Sequence, residues 1–170
     1  MIKQDISENR VNIVYLALGS NLGNRIKNIE KAKLLLIKNN ISLISVSKYY
    51  ETDSWPNPKN PKFINIVLKA KCLLNPNQLL NLCKSIEVKL GRKKTLKNSP
   101  RECDIDIIDF NSLILKGKLN LPHKRMHKRN FVLFPLFEIE KTWFHRLKKK
   151  NIKTLIFSLS NNDIRSIKQI

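Results

Sequence analysis

The sequence predicts an α+β fold in which two helices pack on one face of an antiparallel sheet. Short β-rich segments and amphipathic segments follow each other in the order β-α-β-β-α-β, and the last of these strands begins at Asp104. The segment 63–72 alternates cleanly between apolar and mixed side chains, which is typical of a strand with one packed face. This order is that of a ferredoxin-like α/β sandwich, followed here by an irregular C-terminal extension.

The first half of the pattern contains the first strand, the first helix and the second strand. An apolar run at 13–18 ends at Gly19-Ser20-Asn21, which indicates a strand that leads into a turn. Residues 41–51 are rich in β-formers and predict one second strand, before a loop with three prolines that could act as a lid. A helix is expected over 24–39, where apolar residues recur near the 3.6-residue period: Ile26, Ile29, Ala32, Leu35 and Leu36.

The second half contains the alternating strand, the second helix and the last strand. Asn75-Pro76 supplies an N-cap and a first-turn proline, and Gly91 supplies a stop, so a helix is expected between them. The C-terminal extension holds Ile152, Leu155, Ile156 and Leu159 at helical spacing and is interpreted as a packing helix without chemistry. The face of the third strand that should pack against the helices consists of Ile64, Ile66, Leu68, Ala70 and Cys72.

Length and composition favour one domain over residues 1–170. A hydrophobic content of 42% suits a globular protein, and the sequence has no apolar run of the roughly 18 residues that a membrane span needs. The start of the chain lacks the apolar core of a signal peptide, so we expect a cytoplasmic protein without a membrane partner. The three cysteines form no CxxC pair and are expected to be ordinary reduced thiols: Cys72, Cys83 and Cys103.

The net charge of +20 raises the question of a nucleic-acid partner, because 33 Lys and Arg residues stand against 13 Asp and Glu residues. A basic patch would draw on 92–94, 123–129 and 148–150. Lysine is spread throughout the chain, however, together with abundant Asn and Ile, which indicates a general drift in residue usage. We therefore favour a solvated basic surface over a nucleic-acid partner.

Two carboxylates on the last strand are the most informative functional feature. Asp104 and Asp106 are two residues apart, so their side chains project from the same face and could bridge one or two hard cations. Arg101, just before them, could neutralise phosphate oxygens through its planar fork. This combination suits Mg²⁺ carrying a polyphosphate, although Asp-x-Asp pairs also occur on solvated strands without any metal.

Several separated motifs, in order, resemble the 6-hydroxymethyl-7,8-dihydropterin pyrophosphokinase family of folate synthesis. The resemblance runs from about Ile13 to about Ile139. Each motif alone is weak, but together they are specific. The motifs are Ala17-Leu18-Gly19-Ser20-Asn21-Leu22-Gly23, the strand 47–52, Phe63-Ile64-Asn65, the helix end 86–92, Pro100-Arg101 with Asp104-Ile105-Asp106, Leu121-Pro122-His123, and the run from Arg129 to Leu136.

The resemblance implies transfer of pyrophosphate from ATP to the hydroxymethyl oxygen of the pterin, with release of AMP. Asp104 and Asp106 would hold two Mg²⁺ ions, and catalysis would also involve Arg92 and Arg101. The pterin site would consist of Thr52, Trp55, Phe63, Asn65 and Phe131. The ATP site would consist of Glu87, Arg92, Lys94, Arg101, Ile107, His123 and Arg129.

The chain departs from the family pattern in its loops. Asn98-Ser99 stands where the family usually has Trp-Gly, and Lys94 replaces a second arginine of the loop after the second helix. Asp53-Ser54-Trp55 replaces the usual proline-containing sequence, and Lys124 stands where the family often has Tyr. These changes bear on lid closure and catalytic rate more than on the type of reaction.

Two alternatives stay open from the sequence. One is a basic ferredoxin-like module that binds nucleic acid, although Asp104 and Asp106 on the last strand would repel phosphates unless metals intervene. The other is a family member that binds ATP but turns over poorly. We expect a monomer.

Overall fold

The computed structural model describes residues 10–54, 57–93 and 99–170. The strands of its main sheet are β1 (Asn12–Ser20), β2 (Ser42–Val46), β3 (Tyr50–Thr52), β4 (Phe63–Cys72), β5 (Asp104–Phe110) and β8 (Lys168–Gln169). Their order in the sheet is β5-β1-β4-β3-β8, with β2 also paired to β4, and the pairings are antiparallel. The first four positions of this order are those of a ferredoxin-like sandwich, so the predicted fold class is confirmed.

Two helices cover one face of the sheet, as predicted: α1 (Arg25–Lys38) and α2 (Pro76–Lys89). The N-terminus of α2 is held by a capping box, in which Asn75 and Gln78 exchange side-chain and backbone hydrogen bonds. The helix ends before Gly91, which has φ +108°. The predicted packed face of β4 lies in this core, with Ile64, Ile66, Leu68, Ala70 and Cys72 all buried.

A second hydrophobic core lies on the opposite face, where the C-terminal half of the chain packs. Val67, expected on a partly polar face, is fully buried there together with Ile108 and Leu136. The predicted packing helix is present but short, with Ile152 and Leu155 in this core. The elements on this side are a 3₁₀ turn (Met126–Lys128), α3 (Asn130–Ile139), the hairpin of β6 (Phe144–His145) and β7 (Lys150–Asn151), α4 (Ile152–Phe157) and α5 (Asn161–Arg165).

The second strand differs from its prediction, because residues 41–51 form two short strands, β2 and β3, instead of one. Ser47 lies between them. Its backbone N–H donates to Val67 O (2.9 Å), while its hydroxyl donates to Lys48 O (2.8 Å) and accepts from Val67 N–H (3.0 Å). A side chain that bonds the backbone in this way replaces the regular ladder and interrupts the strand.

No helix within the described ranges is long and apolar enough to cross a bilayer.

The second core contains a buried histidine that should make stability depend on pH. His145 is 2% exposed, contacts the Trp143 ring, and accepts a hydrogen bond from Lys148 N–H. Burial, with His127 and Lys148 nearby, lowers the pKa of His145 to about 4 from an ordinary 6.5. The unfolded chain takes up this proton at a higher pH than the folded chain does. The free energy of unfolding should therefore fall as the pH drops from 6.5 to about 4, by roughly 3 kcal/mol.

Urea unfolding at pH 7 and pH 4.5 checks this expectation. His145→Asn keeps an acceptor for Lys148 N–H but does not titrate, so this variant should lose less stability in acid than the natural chain. An equal loss in both proteins would assign the acid sensitivity to other groups, such as His127, whose pKa is also lowered by burial.

Candidate functional site

Two cavities meet beside the start of β5. We call them the inner cavity and the outer groove. Both are lined by the same four side chains, those of Arg101, Asp104, Asp106 and Arg129. The inner cavity is also lined by Ala17, Leu18, Gly19, Thr52, Asp53, Phe63, Asn65 and Phe131. The outer groove is also lined by Leu22, Lys84, Glu87, Val88, Gly91, Arg92, Lys93, Ser99, Pro100, Glu102, His123 and Arg125.

Asp104 is held between two arginines. Arg92 Nη1 lies 2.6 Å from Asp104 Oδ1, and Arg101 Nη2 lies 2.7 Å from Asp104 Oδ2. Burial alone would raise the pKa of Asp104, but the two guanidinium groups outweigh it and lower the pKa below its ordinary value. The carboxylate is therefore ionised at neutral pH.

Asp106 projects from the same face of β5 and contacts a different pair of basic residues. Arg129 Nη1 lies 3.0 Å from Asp106 Oδ2, and His123 Nε2 lies 3.7 Å from the same oxygen. Burial lowers the pKa of His123, although Asp106 opposes this shift. His123 is therefore neutral at pH 7, and Arg129 is the charged partner of Asp106.

A buried glutamate fixes the strand between the two aspartates. Glu87 is 1% exposed, and its Oε1 accepts from Ile105 N–H at 2.7 Å. Its Oε2 lies 2.7 Å from Arg92 Nη1 and 3.1 Å from Lys84 Nζ. Burial raises the pKa of Glu87. Glu87 thus anchors both β5 and the arginine that contacts Asp104.

The inner cavity has a polar floor and two aromatic walls. Asn65 Nδ2 donates to Thr52 Oγ1 at 3.1 Å, and both residues are buried. Gly19 lies opposite Asn65 in the β1–β4 register, where a Cβ would stand 2.7 Å from Asn65 Oδ1. The walls carry cations on their faces: Arg101 Cζ lies 5.1 Å from the centre of the Phe63 ring, and Arg129 Cζ lies 5.4 Å from that of Phe131.

Asn21 links three segments around the cavities, and sequence reasoning did not identify it as a site residue. Asn21 exchanges two hydrogen bonds with the backbone of Arg101, at 2.8 and 3.2 Å. Its Nδ2 also donates to Ser54 Oγ (3.2 Å) and Pro61 O (3.1 Å). The available signal was the polar Gly19-Ser20-Asn21 sequence directly after an apolar strand.

Most residues of the predicted site are brought together by the fold. Ile107 is the exception, because its side chain is buried in the core beneath α1 and α2, on the face of β5 opposite the aspartates. Ile107 lines neither cavity, so its place in the ATP site stays a prediction that only its backbone could fulfil. Trp55, Lys94 and Asn98 lie outside the described residues. The predicted residues that line a cavity are Thr52, Phe63, Asn65, Glu87, Arg92, Arg101, Asp104, Asp106, His123, Arg129 and Phe131.

The two carboxylates where the inner cavity meets the outer groove suit Mg²⁺ together with a phosphate-bearing ligand. Within the described ranges, no cluster of three or more His, Cys, Asp and Glu side chains could enclose a metal on its own. Mg²⁺ usually binds one or two carboxylates and takes its other ligands from water and phosphate oxygens. Asp104 and Asp106, which are 22% and 29% exposed at their side chains, provide such a pair.

Comparisons with known proteins agree on one family. A family model described as 7,8-dihydro-6-hydroxymethylpterin-pyrophosphokinase (HPPK) matches residues 15–141. The 2-amino-4-hydroxy-6-hydroxymethyldihydropteridine pyrophosphokinase of Aquifex aeolicus is 40% identical over 141 residues, which are 82% of this chain and 88% of that protein. The enzyme of the same name from Bacillus subtilis is 42% identical over 130 residues, which are 75% of this chain and 78% of that protein.

Longer proteins also match over part of their length. The folic acid synthesis protein FOL1 of Dictyostelium discoideum is 42% identical over 135 residues, which are 79% of this chain but 20% of that protein. A crystal structure of Plasmodium falciparum HPPK-DHPS A437G/K540E with pterin and p-hydroxybenzoate superposes with a TM-score of 0.73 at 17% identity, over 97% of this chain and 48% of that one. The structural likeness supports the fold.

Proposed function

The chain belongs to the 7,8-dihydro-6-hydroxymethylpterin-pyrophosphokinase family, and we propose that its reaction takes place where the inner cavity meets the outer groove. The reaction transfers pyrophosphate from ATP to 6-hydroxymethyl-7,8-dihydropterin in folate synthesis. The observation that carries the proposed location is the set of four charged side chains shared by both cavities: Arg101, Asp104, Asp106 and Arg129.

The outer groove is the proposed ATP site. Its lining is rich in cationic side chains, including Arg92, Arg101 and Arg129, which suits three linked phosphates. Arg101 and Arg129 each retain a buried Nε–H that no described residue accepts. An anionic ligand would satisfy such donors.

The inner cavity is the proposed pterin site. Phe63 and Phe131 offer flat apolar walls for a ring system, and the Asn65 amide can both donate to and accept from the edge of that ring. Thr52, bonded to Asn65, orients that amide. This cavity opens at the shared charged residues, so a pterin hydroxymethyl group would lie beside the phosphates.

Asp104 and Asp106 are the proposed holders of two Mg²⁺ ions. Bound Mg²⁺ would neutralise charge on the phosphate oxygens and help to orient them. In the described structure both carboxylates are paired with arginines. Those arginines are therefore positioned to contact phosphate oxygens when the carboxylates take other partners.

The chain's own contribution is positioning and electrostatic stabilisation. The pterin oxygen attacks the β-phosphorus and AMP leaves, so negative charge shifts along the polyphosphate during the reaction. Arg92 and Arg101, fixed by Glu87, Asp104 and Ser99 O, are prearranged to meet that charge. Such prearrangement lowers the barrier without a covalent intermediate on the protein.

Chromatographic detection of AMP tests the function. Purified protein is incubated with ATP and Mg²⁺, with and without 6-hydroxymethyl-7,8-dihydropterin. AMP that forms only with the pterin and is lost on chelation by EDTA is the expected result. ATP binding without AMP from folded protein would instead indicate a poorly active family member, and steeply salt-dependent RNA binding would support the nucleic-acid alternative.

Gly19→Ala should weaken pterin binding selectively. The added Cβ would stand 2.7 Å from Asn65 Oδ1, closer than such atoms approach, so the Asn65 amide must move away from its position beside Thr52. We expect the KM for the pterin to rise by about tenfold, with a change of less than about twofold in the KM for ATP.

Steady-state kinetics with each substrate varied in turn measures the two KM values separately. Gly117→Ala is the matched control, because a Cβ there meets nothing within 4 Å, although its φ of +147° makes a small loss of stability expected. An unchanged pterin KM in Gly19→Ala would place the pterin away from Asn65.

We also propose one domain over residues 1–170, acting as a cytoplasmic monomer. The two hydrophobic cores share the main sheet, which supports one domain. Burial of Cys72, Cys83 and Cys103 as free thiols is compatible with a reducing compartment. Size-exclusion chromatography with light scattering tests the oligomeric state.

A further inference from the structure

The last part of the chain, residues 158–170, contacts two of the elements that bound the inner cavity, β3 and α3. We call it the tail. It follows the part of the chain matched by the family model, which ends at residue 141. The tail contains α5 and β8 and joins the main sheet at the edge formed by β3.

The first contact of the tail is with β3, the strand that ends at Thr52. β8 pairs with it antiparallel, with Gln169 opposite Tyr50, and Ile170 N–H donates to Tyr49 O at 3.0 Å. The Tyr50 hydroxyl lies 3.3 Å from Gln169 Oε1 and 2.9 Å from Glu138 Oε2 on α3. A three-residue strand gains much of its order from such neighbours, because few hydrogen bonds fix it otherwise.

The second contact of the tail is with the N-terminus of α3. Asn130 is 8% exposed, and its Nδ2 donates to Asp163 O (2.6 Å) and to Ser166 Oγ (3.1 Å). Its neighbours in sequence are Arg129 and Phe131, which both line the inner cavity. The tail is thus bonded both to β3, which carries Thr52, and to the start of α3, which carries Phe131.

We propose that the tail is a clamp that positions two residues of the inner cavity, Thr52 and Phe131. Ser166 and the backbone of Ile170 are the positioning groups, acting on Phe131 and Thr52 respectively. This proposal rests on the proposed function, because it assigns the inner cavity to the pterin. β8 and β5 are at opposite edges of the sheet, with three strands between them. Thr52 and Phe131 line only the inner cavity, and Arg129 is the one outer-groove residue that lies next to a described contact of the tail, so the clamp acts mainly on pterin binding.

Two changes in the tail test the clamp without altering any residue that lines a cavity. Ser166→Ala removes the hydroxyl that Asn130 contacts, and Ile170→Pro removes the N–H bonded to Tyr49 O. In the double variant we expect the KM for the pterin to rise by about three- to tenfold, with less than about a twofold change in the KM for ATP. The matched control is Asn162→Ala with Ile170→Ala, which keeps both hydrogen bonds and should behave as the natural chain.

Hydrogen exchange gives a second measurement that does not depend on turnover. In the double variant the amides of 50–52 and 131–133 should exchange faster, while those of β5 should be unchanged. An unchanged pterin KM, or equal rises in both KM values, would overturn the proposal. If the natural chain forms no AMP, the proposed function fails, and faster exchange confined to 50–52 and 131–133 would still support the clamp as a structural device.

Discussion

Asp106→Asn is expected to reduce turnover by about a thousandfold or more while the folded structure persists. The carboxylate is 29% exposed and lies in no hydrophobic core, so its loss removes little packing. Asparagine keeps the shape of the side chain but removes the negative charge that Mg²⁺ needs. Quenched assays of AMP formation at saturating ATP, pterin and Mg²⁺ measure the effect, with thermal unfolding measured on the same samples.

Asp109→Asn is the matched control on the same strand. Asp109 is 1% exposed, accepts from Trp143 Nε1 at 2.8 Å and from Ser112 N–H at 2.9 Å, and lines neither cavity. The asparagine amide of this variant should lower the free energy of unfolding by roughly 1–3 kcal/mol, with little effect on turnover per folded molecule. Near-normal activity in Asp106→Asn would contradict the assignment of this carboxylate to Mg²⁺.

Asp106 is a cleaner test than Asp104, because Asp106→Asn removes the charged partner of one arginine, Arg129, and not of two. Both carboxylates should be needed for turnover, but Asp104 also neutralises Arg92 and Arg101, which are half-buried around it. Asp104→Asn would leave two guanidinium groups close together without their shared partner, which destabilises the fold as well as the site. A loss of activity in that variant therefore has two causes.

Local sequence signals predicted those elements whose order depends on neighbours in the chain. The helix α2 is the clearest case, because Asn75, Gln78 and Pro76 fix its start and Gly91 permits its end. The alternation in β4 likewise gave the packed face correctly. Both patterns reflect local backbone geometry, so they can be recognised in the sequence without knowing which distant residues the element contacts.

Elements that depend on distant partners were not predictable in the same way. The break at Ser47 arises from hydrogen bonds to Val67, twenty positions along the chain, and no Gly, Pro, Asn or Asp marks it in residues 41–51. β8 is two residues long and pairs with Tyr50 and Glu51 across most of the sequence. Such short edge strands have no periodic pattern of their own.

The same distinction applies to the candidate site. The shared face of Asp104 and Asp106 follows from the period of a strand and could be predicted. The buried Glu87 could be placed near the groove only by resemblance, and its bond to Ile105 N–H depends on how α2 lies against β5. Asn21 was missed because its partners come from two other loops.

Arg101 occupies the point where all parts of the candidate site meet. Its side chain contacts Asp104, lies over the Phe63 ring and donates to Ser99 O, while its backbone is bonded to Asn21. A planar guanidinium can make these contacts at once, because its donors are fixed in one plane and its face is free to stack. A lysine ammonium carries the same charge without that geometry.

Arg101→Lys should therefore lower kcat by about a hundredfold or more, with a smaller effect on both KM values. The substitution keeps the net charge, so long-range attraction of ATP is unchanged and the loss reports on geometry at the reacting phosphates. Arg25→Lys is the matched control, since Arg25 pairs with Glu51 at 3.1 Å and lines neither cavity. Steady-state kinetics on both variants decides the matter: a decrease in kcat of less than about threefold in Arg101→Lys would show that charge alone suffices there and that the fork of Arg101 has no role in transfer.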